Sequence, residues 1–470
     1  MIVIGGGLAG LSAAVALAES GYRITLLEKR PFLGGRATSY VLPTGEHVDN
    51  CQHVTLGCCT NLDDFYRRAG SAGKIRFYDR LEFSSPDGHR GAMYRSPLPA
   101  PLHLTPSFLR FPLLNWADKR GIARLLGHIV REGGRPPEII FRGGRPSMLD
   151  WLKRHKQTDL AISRFWGPVL VSALNEQLDQ MDPLYGADVF WKGFLANRAG
   201  YRIGIPSVPL ANLYDGCRDA LIARGGEVRM RAAVRRLELT GGAISGVSFD
   251  SGEVLRADHY VAAVPQDAFP DLLPAEVIDG DLSLRGVRKL KASPITGVHF
   301  WFDRQVMIEP FLSLFEMTTQ WIFNKSLLFG AEKSTADKGQ YLQLVISASY
   351  ELIPRSREEI VDLCLAEVRR VLPAAQEAKL LKSTVIKETS ATFSPSPGCD
   401  INRPNAKTSI QHLFLAGDWT ATGWPATMEG AVRSGYLAAE AITSADGHAQ
   451  TFLKPDLPVE GISRVIAKRK

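Results

Sequence analysis

At 470 residues, 45% hydrophobic and 22% charged, the chain exceeds one ordinary core and reads as two connected globular domains, neither disordered nor membrane-spanning. A formal charge of +7 favours anionic partners, yet the basic residues cluster only at Arg229, Arg231, Arg235 and Arg236 and at Lys468, Arg469 and Lys470. Nucleic acid is therefore set aside, and an anionic membrane surface suits the charge better.

No uncharged apolar run reaches the roughly 18 residues of a bilayer span. The apolar start is broken by glycines and lacks a basic leader, so a cytoplasmic protein is expected, with peripheral contact on the inner face of the cell membrane. The six cysteines show no CxxC and no metal-ligand spacing, which points to reduced thiols and no metal.

In chain order, residues 2–4 read as a β-branched strand, 5–10 as a glycine turn, 11–20 as an Ala-rich helix and 23–27 as a second strand, a βαβ unit. Strand patterns return at 226–228, 234–239, 244–249 and 260–264, and again at 413–416 before an Ala-rich helix over 428–442. Residues 1–74, 206–269 and 401–445 thus read as one Rossmann-type α/β domain in three pieces. The two insertions, 75–205 and 270–400, read as a single α+β substrate domain. The first is mostly helical and aromatic-rich; the second carries strands at 297–302 and 341–347 and an amphipathic helix near 358–371. Residues 446–470 read as a loose basic tail.

Gly5, Gly7 and Gly10 fit G-x-G-x-x-G around Leu8 and Ala9: a tight turn, a close backbone approach for pyrophosphate, and close helix packing, with the helix N-terminus facing the phosphates. Glu28, eighteen residues after Gly10, ends the second strand where a carboxylate accepts both ribose hydroxyls, with Lys29 beside it. In Gly34-Gly35-Arg36 a flexible backbone and a guanidinium offer a second pyrophosphate contact. This element resembles the GGR of the amine oxidase and phytoene desaturase group of flavoproteins. Leu415-Ala416-Gly417-Asp418 resembles that group's AGD segment: Asp418 is placed for a ribityl hydroxyl, and the helix opening at Met428 aims its dipole at the flavin. The three-part match implies FAD, with Val234 among the expected cofactor contacts.

The resemblance then narrows. His47 through Val54, Gly57-Cys58-Cys59, Phe165 through Pro168, Leu174-Asn175, Trp301 through Arg304, Gln320-Trp321, Ala391 through Phe393, Arg403-Pro404 and the block from Gly417 to Gly435 look like the squalene-associated flavoproteins, the hydroxysqualene dehydroxylases. That resemblance implies reductive removal of a hydroxyl from a hydrophobic isoprenoid, hydroxysqualene, to give squalene, with FAD reduced by an unidentified electron donor. Such chemistry needs an apolar, water-excluding pocket and a proton for the departing hydroxide. Asn50, Gln52 and His53 are the candidate wall facing the flavin, with His53 either the proton donor or a structural histidine. Phe165, Trp166 and Asn175 are the candidate substrate tunnel, on a stretch where aromatics equally suit a plain core. Residues 97–116 either dip into a membrane interface or form a lid. Two other readings stay open: a carotenoid-type desaturase or amine oxidase of the same group, and a non-catalytic prenyl-lipid escort protein, against which stand the intact flavin motifs.

Overall fold

The computed structural model describes residues 1–137, 145–330 and 339–468; Arg469 and Lys470 lie outside the described residues. Ile2–Ile4, buried throughout, pairs in parallel with Thr25–Glu28 on one side and Tyr260–Ala262 on the other. Glu227–Met230 and Leu413–Leu415 complete a five-stranded parallel sheet at its two edges. Ile2–Ile4, Tyr260–Ala262 and Leu413–Leu415 are continuous apolar runs, buried throughout, because helices cover both faces of such a sheet. The helices Leu8–Glu19 and Met428–Ala445 cross so closely that a Cβ on Gly435 would lie 2.1 Å from Ser12 Oγ and 2.3 Å from the Ala9 carbonyl. That contact explains the small residues on both helices. This is a Rossmann-type α/β domain assembled from three chain segments, carrying an inserted α+β unit.

The inserted unit is built on a seven-stranded sheet that joins both insertions. Ala292–Phe302 lies between Leu380–Phe393 and Gln340–Ser347, all antiparallel. The sheet continues through Trp321–Asn324 and Phe311–Leu314 to Arg80–Ser84 and Arg90–Tyr94 of the first insertion. The insertion is mostly helical as expected but opens on these two strands, whose charged and small residues, Arg80, Glu82, Arg90 and Gly91, leave little apolar periodicity to read. The helices follow, among them Trp116–Arg131, Gly167–Leu174 and Pro183–Phe190, with π-helical turns at Ile162–Trp166 and Trp191–Leu195. The expected amphipathic helix is Arg357–Val371, capped reciprocally by Ser356 and Glu359.

The segment after 446 is not loose. The backbone N–H groups of Phe452 and Leu453 donate to Glu440 at 2.8 Å, Lys454 N–H donates to Asn61 at 2.7 Å, and Asn197 donates to the Pro458 carbonyl at 2.9 Å. A last helix, Gly461–Ile466, is anchored by Ile462 N–H on the Ala100 carbonyl.

Candidate functional site

The C-terminal ends of the parallel strands meet at the glycine turn. Gly5 has φ +108° and a Cβ there would stand 2.5 Å from the Ala263 carbonyl, while one on Gly10 would stand 1.9 Å from the Gly5 carbonyl. Gly7 is different: its Cβ would meet nothing nearer than Gly35 Cα at 3.8 Å. The turn is thus tight on its protein side and clear at Gly7, while Gly35 packs close enough that its own Cβ would stand 3.0 Å from Gly7 Cα, and Gly34 N–H donates to the Gly6 carbonyl at 2.8 Å. Leu8 and Ala9 are buried behind it.

The Glu28 carboxylate, also buried, accepts from Gly6 N–H at 2.6 Å and Arg30 N–H at 2.8 Å. Each oxygen keeps a lone pair for a hydroxyl. Lys29 points to solvent, and Val234 opens a strand two residues past Ala232, whose N–H donates to the Glu28 carbonyl.

Arg36 and Asp418 are paired at 2.7 Å, and Arg36 also donates to the Ala391 carbonyl at 2.7 Å. One ion pair therefore ties the first segment to the last. Gly417, at φ +152°, leaves room for the Trp419 indole, whose N–H donates to the Val264 carbonyl at 2.9 Å. Two residues further along that same strand exit, Gln266 is buried with neither amide atom partnered among the described residues. An orphaned donor and acceptor beside an open glycine cradle fit a large polar ligand. Thr427 caps the helix Met428–Ala445 through Gly430 N–H, and Met428 lies half-buried against the Tyr66 hydroxyl.

Arg403, which the sequence marked only as part of a motif and without a role, holds this last segment. Its buried guanidinium reaches the carbonyls of Asp418, Thr420 and Trp424 at 3.1, 2.6 and 2.8 Å and the Tyr185 hydroxyl at 2.5 Å.

These features coincide with a known family. The model of the flavin-containing amine oxidoreductases matches residues 8–443. The chain belongs to that family. FAD is its cofactor. Over 466 residues the chain is 27% identical to a 15-cis-phytoene desaturase of Solanum lycopersicum, covering 94% of this chain and 77% of the relative. A probable zeta-carotene desaturase of Synechococcus elongatus is likewise 27% identical, with 94% and 98% covered. Among solved structures, an oxidoreductase from Methanosarcina mazei superposes with TM-score 0.72 at 17% identity, over 94% of this chain and 99% of that one. A putrescine oxidase bound to putrescine gives 0.69 at 16%, over 94% and 98%. The protein is accordingly a flavin-dependent oxidoreductase.

Beside the cradle runs the polar segment from Asp49 to His53. Asn50 donates to the Arg36 carbonyl at 2.9 Å and to Glu388 at 3.3 Å, which joins this segment to the cofactor site. Behind it lies a group with no signal in the sequence. Lys325, fully buried, donates to Asp49 at 2.7 Å and to Gln52 at 2.6 Å. Burial opposes ionisation of Asp49, but the Lys325 ammonium, the Ser39 hydroxyl and the Leu210 N–H outweigh it and hold the carboxyl below its ordinary pKa. Burial lowers the Lys325 pKa against the pull of Asp49, making the ammonium the more acidic. Asn50 Oδ1, Gln343 Oε1 and His299 Nε2 are buried nearby without partners among the described residues.

Of the two roles left open for His53, its surroundings suit the structural one. Its Nδ1 lies 2.9 Å from the Cys51 carbonyl, so Nδ1 carries the proton in the neutral ring and Nε2 presents a lone pair. Burial lowers its pKa, which disfavours the imidazolium a proton donor would need.

Of the tunnel candidates, Phe165 is half-buried and packs on Phe108 and Phe190 at 5.8 and 5.5 Å. Trp166 is wholly buried, its indole N–H on Gln157 at 2.8 Å. Asn175, in left-handed backbone, donates to Thr392 and the Ser293 carbonyl and accepts from Ala348 N–H. Both are thereby corrected to packing roles: Trp166 leaves no surface for a substrate, and the Asn175 amide is spent clipping a helix end to the sheet. A cavity of about 390 Å³ lies between the segment from Thr55 to Arg67 and the strand Ile75–Tyr78; Leu56, Ile75, Phe77 and Leu457 line it together with the charged Asp63, Arg67, Arg202 and Lys454.

Proposed function

We propose that this oxidoreductase acts on a long isoprenoid and removes the hydroxyl of hydroxysqualene to give squalene. The observation that carries the substrate class is the similarity, across 94% of the chain, to enzymes named for phytoene and zeta-carotene, both isoprenoid hydrocarbons. The choice of hydroxysqualene rests on the motif resemblance that runs from His47 to Gly435. In the net reaction the C–O bond breaks, a C–H bond forms, and hydroxide leaves as water after taking a proton. Reduced FAD, when bound, supplies the hydride. The chain must exclude water and deliver the proton. The second need falls to Lys325, a buried ammonium held by Asp49 and Gln52 and made more acidic by burial.

A second reading follows from the relatives' own names: the flavin runs in the oxidative direction and the protein desaturates a polyene. Anaerobic single turnover separates the two. Dithionite-reduced protein is mixed with hydroxysqualene while flavin absorbance and lipid products are followed. Reoxidation with stoichiometric squalene is the expected result. A flavin that stays reduced, together with an oxidised enzyme that converts phytoene, would replace the dehydroxylase by the desaturase.

A further inference from the structure

Residues 97–116 do not behave as one unit. Phe111, Leu113 and Leu114 are buried and Phe108 is half-buried, whereas Leu98, Leu102, Leu109 and Trp116 are exposed, Trp116 to 66%. The chain around them closes a ring. Leu102–Leu104 leads into the helix Thr105–Arg110, whose Leu109 carbonyl accepts from Lys119 at 2.8 Å. From Trp116 the helix runs to Arg131, whose carbonyl accepts from Lys468 N–H at 3.0 Å. The helix Gly461–Ile466 then returns to the Ala100 carbonyl through Ile462 N–H at 2.8 Å.

The outward side of this ring has one charge sign. On the helix Trp116–Arg131 the exposed positions are Trp116, Ala117, Arg120, Ala123, Arg124, Gly127 and Arg131, a single stripe at helical spacing. Its two acidic neighbours, Asp118 and Glu132, are buried. Arg131 and Lys468 share Glu132 at 3.0 and 2.7 Å, whereas no carboxylate among the described residues pairs with Arg110, Arg120 or Arg124. On the returning helix Val465 is 84% exposed and Ile466 is also exposed, with Arg464 and Lys468 beside them.

We infer that this ring is a docking surface for an anionic lipid bilayer: Leu98, Leu102, Leu109, Trp116, Val465 and Ile466 enter the headgroup boundary while the arginine stripe meets the lipid phosphates. Isolated large apolar side chains set among unpaired guanidinium groups match a surface that is anionic above and apolar below. A protein partner would supply carboxylates for those arginines and a concave seat for the tryptophan. The inference rests on this surface and not on the identity of the substrate, so it is read by binding rather than turnover.

The test is flotation of the FAD-loaded protein with vesicles of phosphatidylcholine alone and of phosphatidylcholine mixed with phosphatidylglycerol. The wild type is expected to float with the mixed vesicles and to be released by added salt. At about 1 kcal/mol per basic residue near such a surface, R120Q/R124Q weakens partitioning roughly 20- to 30-fold. Leu102→Ser/Leu109→Ser weakens it at least about tenfold through lost apolar burial. All four positions face solvent or are half-exposed, so flavin content stays at the wild-type level and reports an intact fold; should one double variant lose flavin, the other decides. No flotation with the phosphatidylglycerol vesicles, or flotation unchanged in a flavin-loaded variant, overturns the inference.

Discussion

Gly10 is fixed by a distance rather than by flexibility: its φ is ordinary, but any Cβ would collide with the Gly5 carbonyl at 1.9 Å. Gly10→Ala is therefore expected to purify without FAD, as the ratio of flavin to protein absorbance would show; a wild-type ratio would contradict it. Lys325 makes the opposite kind of case. Removing one partner of a buried pair leaves an uncompensated charge, so Lys325→Met should cost about 3–5 kcal/mol in denaturant unfolding. A loss below about 1 kcal/mol would mean that Asp49 finds another partner. Two buried histidines set the acid limit. Burial lowers His299 to about 3 and His103 to about 4 from 6.5. Folded values below the unfolded one mean that the unfolded chain binds more protons, so this contribution is complete above about pH 6.5 and is lost as pH falls toward 4 and below. The thermal midpoint should fall over that range, and His103→Phe, which removes two unpartnered buried nitrogens, should flatten the fall. Glu28 was legible because its motif partner lies a fixed distance away along the chain. The Lys325–Asp49 pair was not, since 276 residues separate its members and nothing local marks Lys325.

At the scale of elements, the inner parallel strands announce themselves as apolar runs, whereas Arg80–Ser84 and Arg90–Tyr94 do not, because charged and small residues interrupt their apolar positions. The aromatic-rich helices illustrate a deeper limit. Periodicity locates Phe165 and Trp166, but a π-helical turn over Ile162–Trp166 alters which way each side chain points, and only the fold shows that Trp166 is sealed in the core. The segment from Asp418 to Trp424 depends on Arg403, which gathers three of its carbonyls. Arg403→Met is expected to loosen that segment and with it the cofactor. Equilibrium dialysis should show FAD affinity falling at least about tenfold, as the loss of buried charge-assisted hydrogen bonds implies. Unaltered affinity would show that the Arg36–Asp418 pair alone sets the segment.

The molecule as a whole is closed by its last residues. The strap from 447 to the helix Gly461–Ile466 touches Asn61, Asn197 and Ala100 in turn, so it spans both the dinucleotide-binding part and the inserted part. Deleting residues 447–470 is expected to lower the thermal midpoint and to produce a broader transition; a midpoint equal to that of the full chain would make the strap dispensable. Its basic composition suggested a free tail because composition reports charge and not the backbone hydrogen bonds that hold the segment down. The strand order of the parallel sheet has a further consequence, one of timing. Tyr260–Ala262 receives its outer neighbour only when Leu413–Leu415 has been made. At ribosomal rates of roughly 5–20 residues per second, that edge waits on the order of ten to thirty seconds with its hydrogen-bonding groups unmatched. A nascent chain of this kind must be shielded from other strands while the second half of its substrate domain is synthesised, and the flavin can be enclosed only near the end of translation.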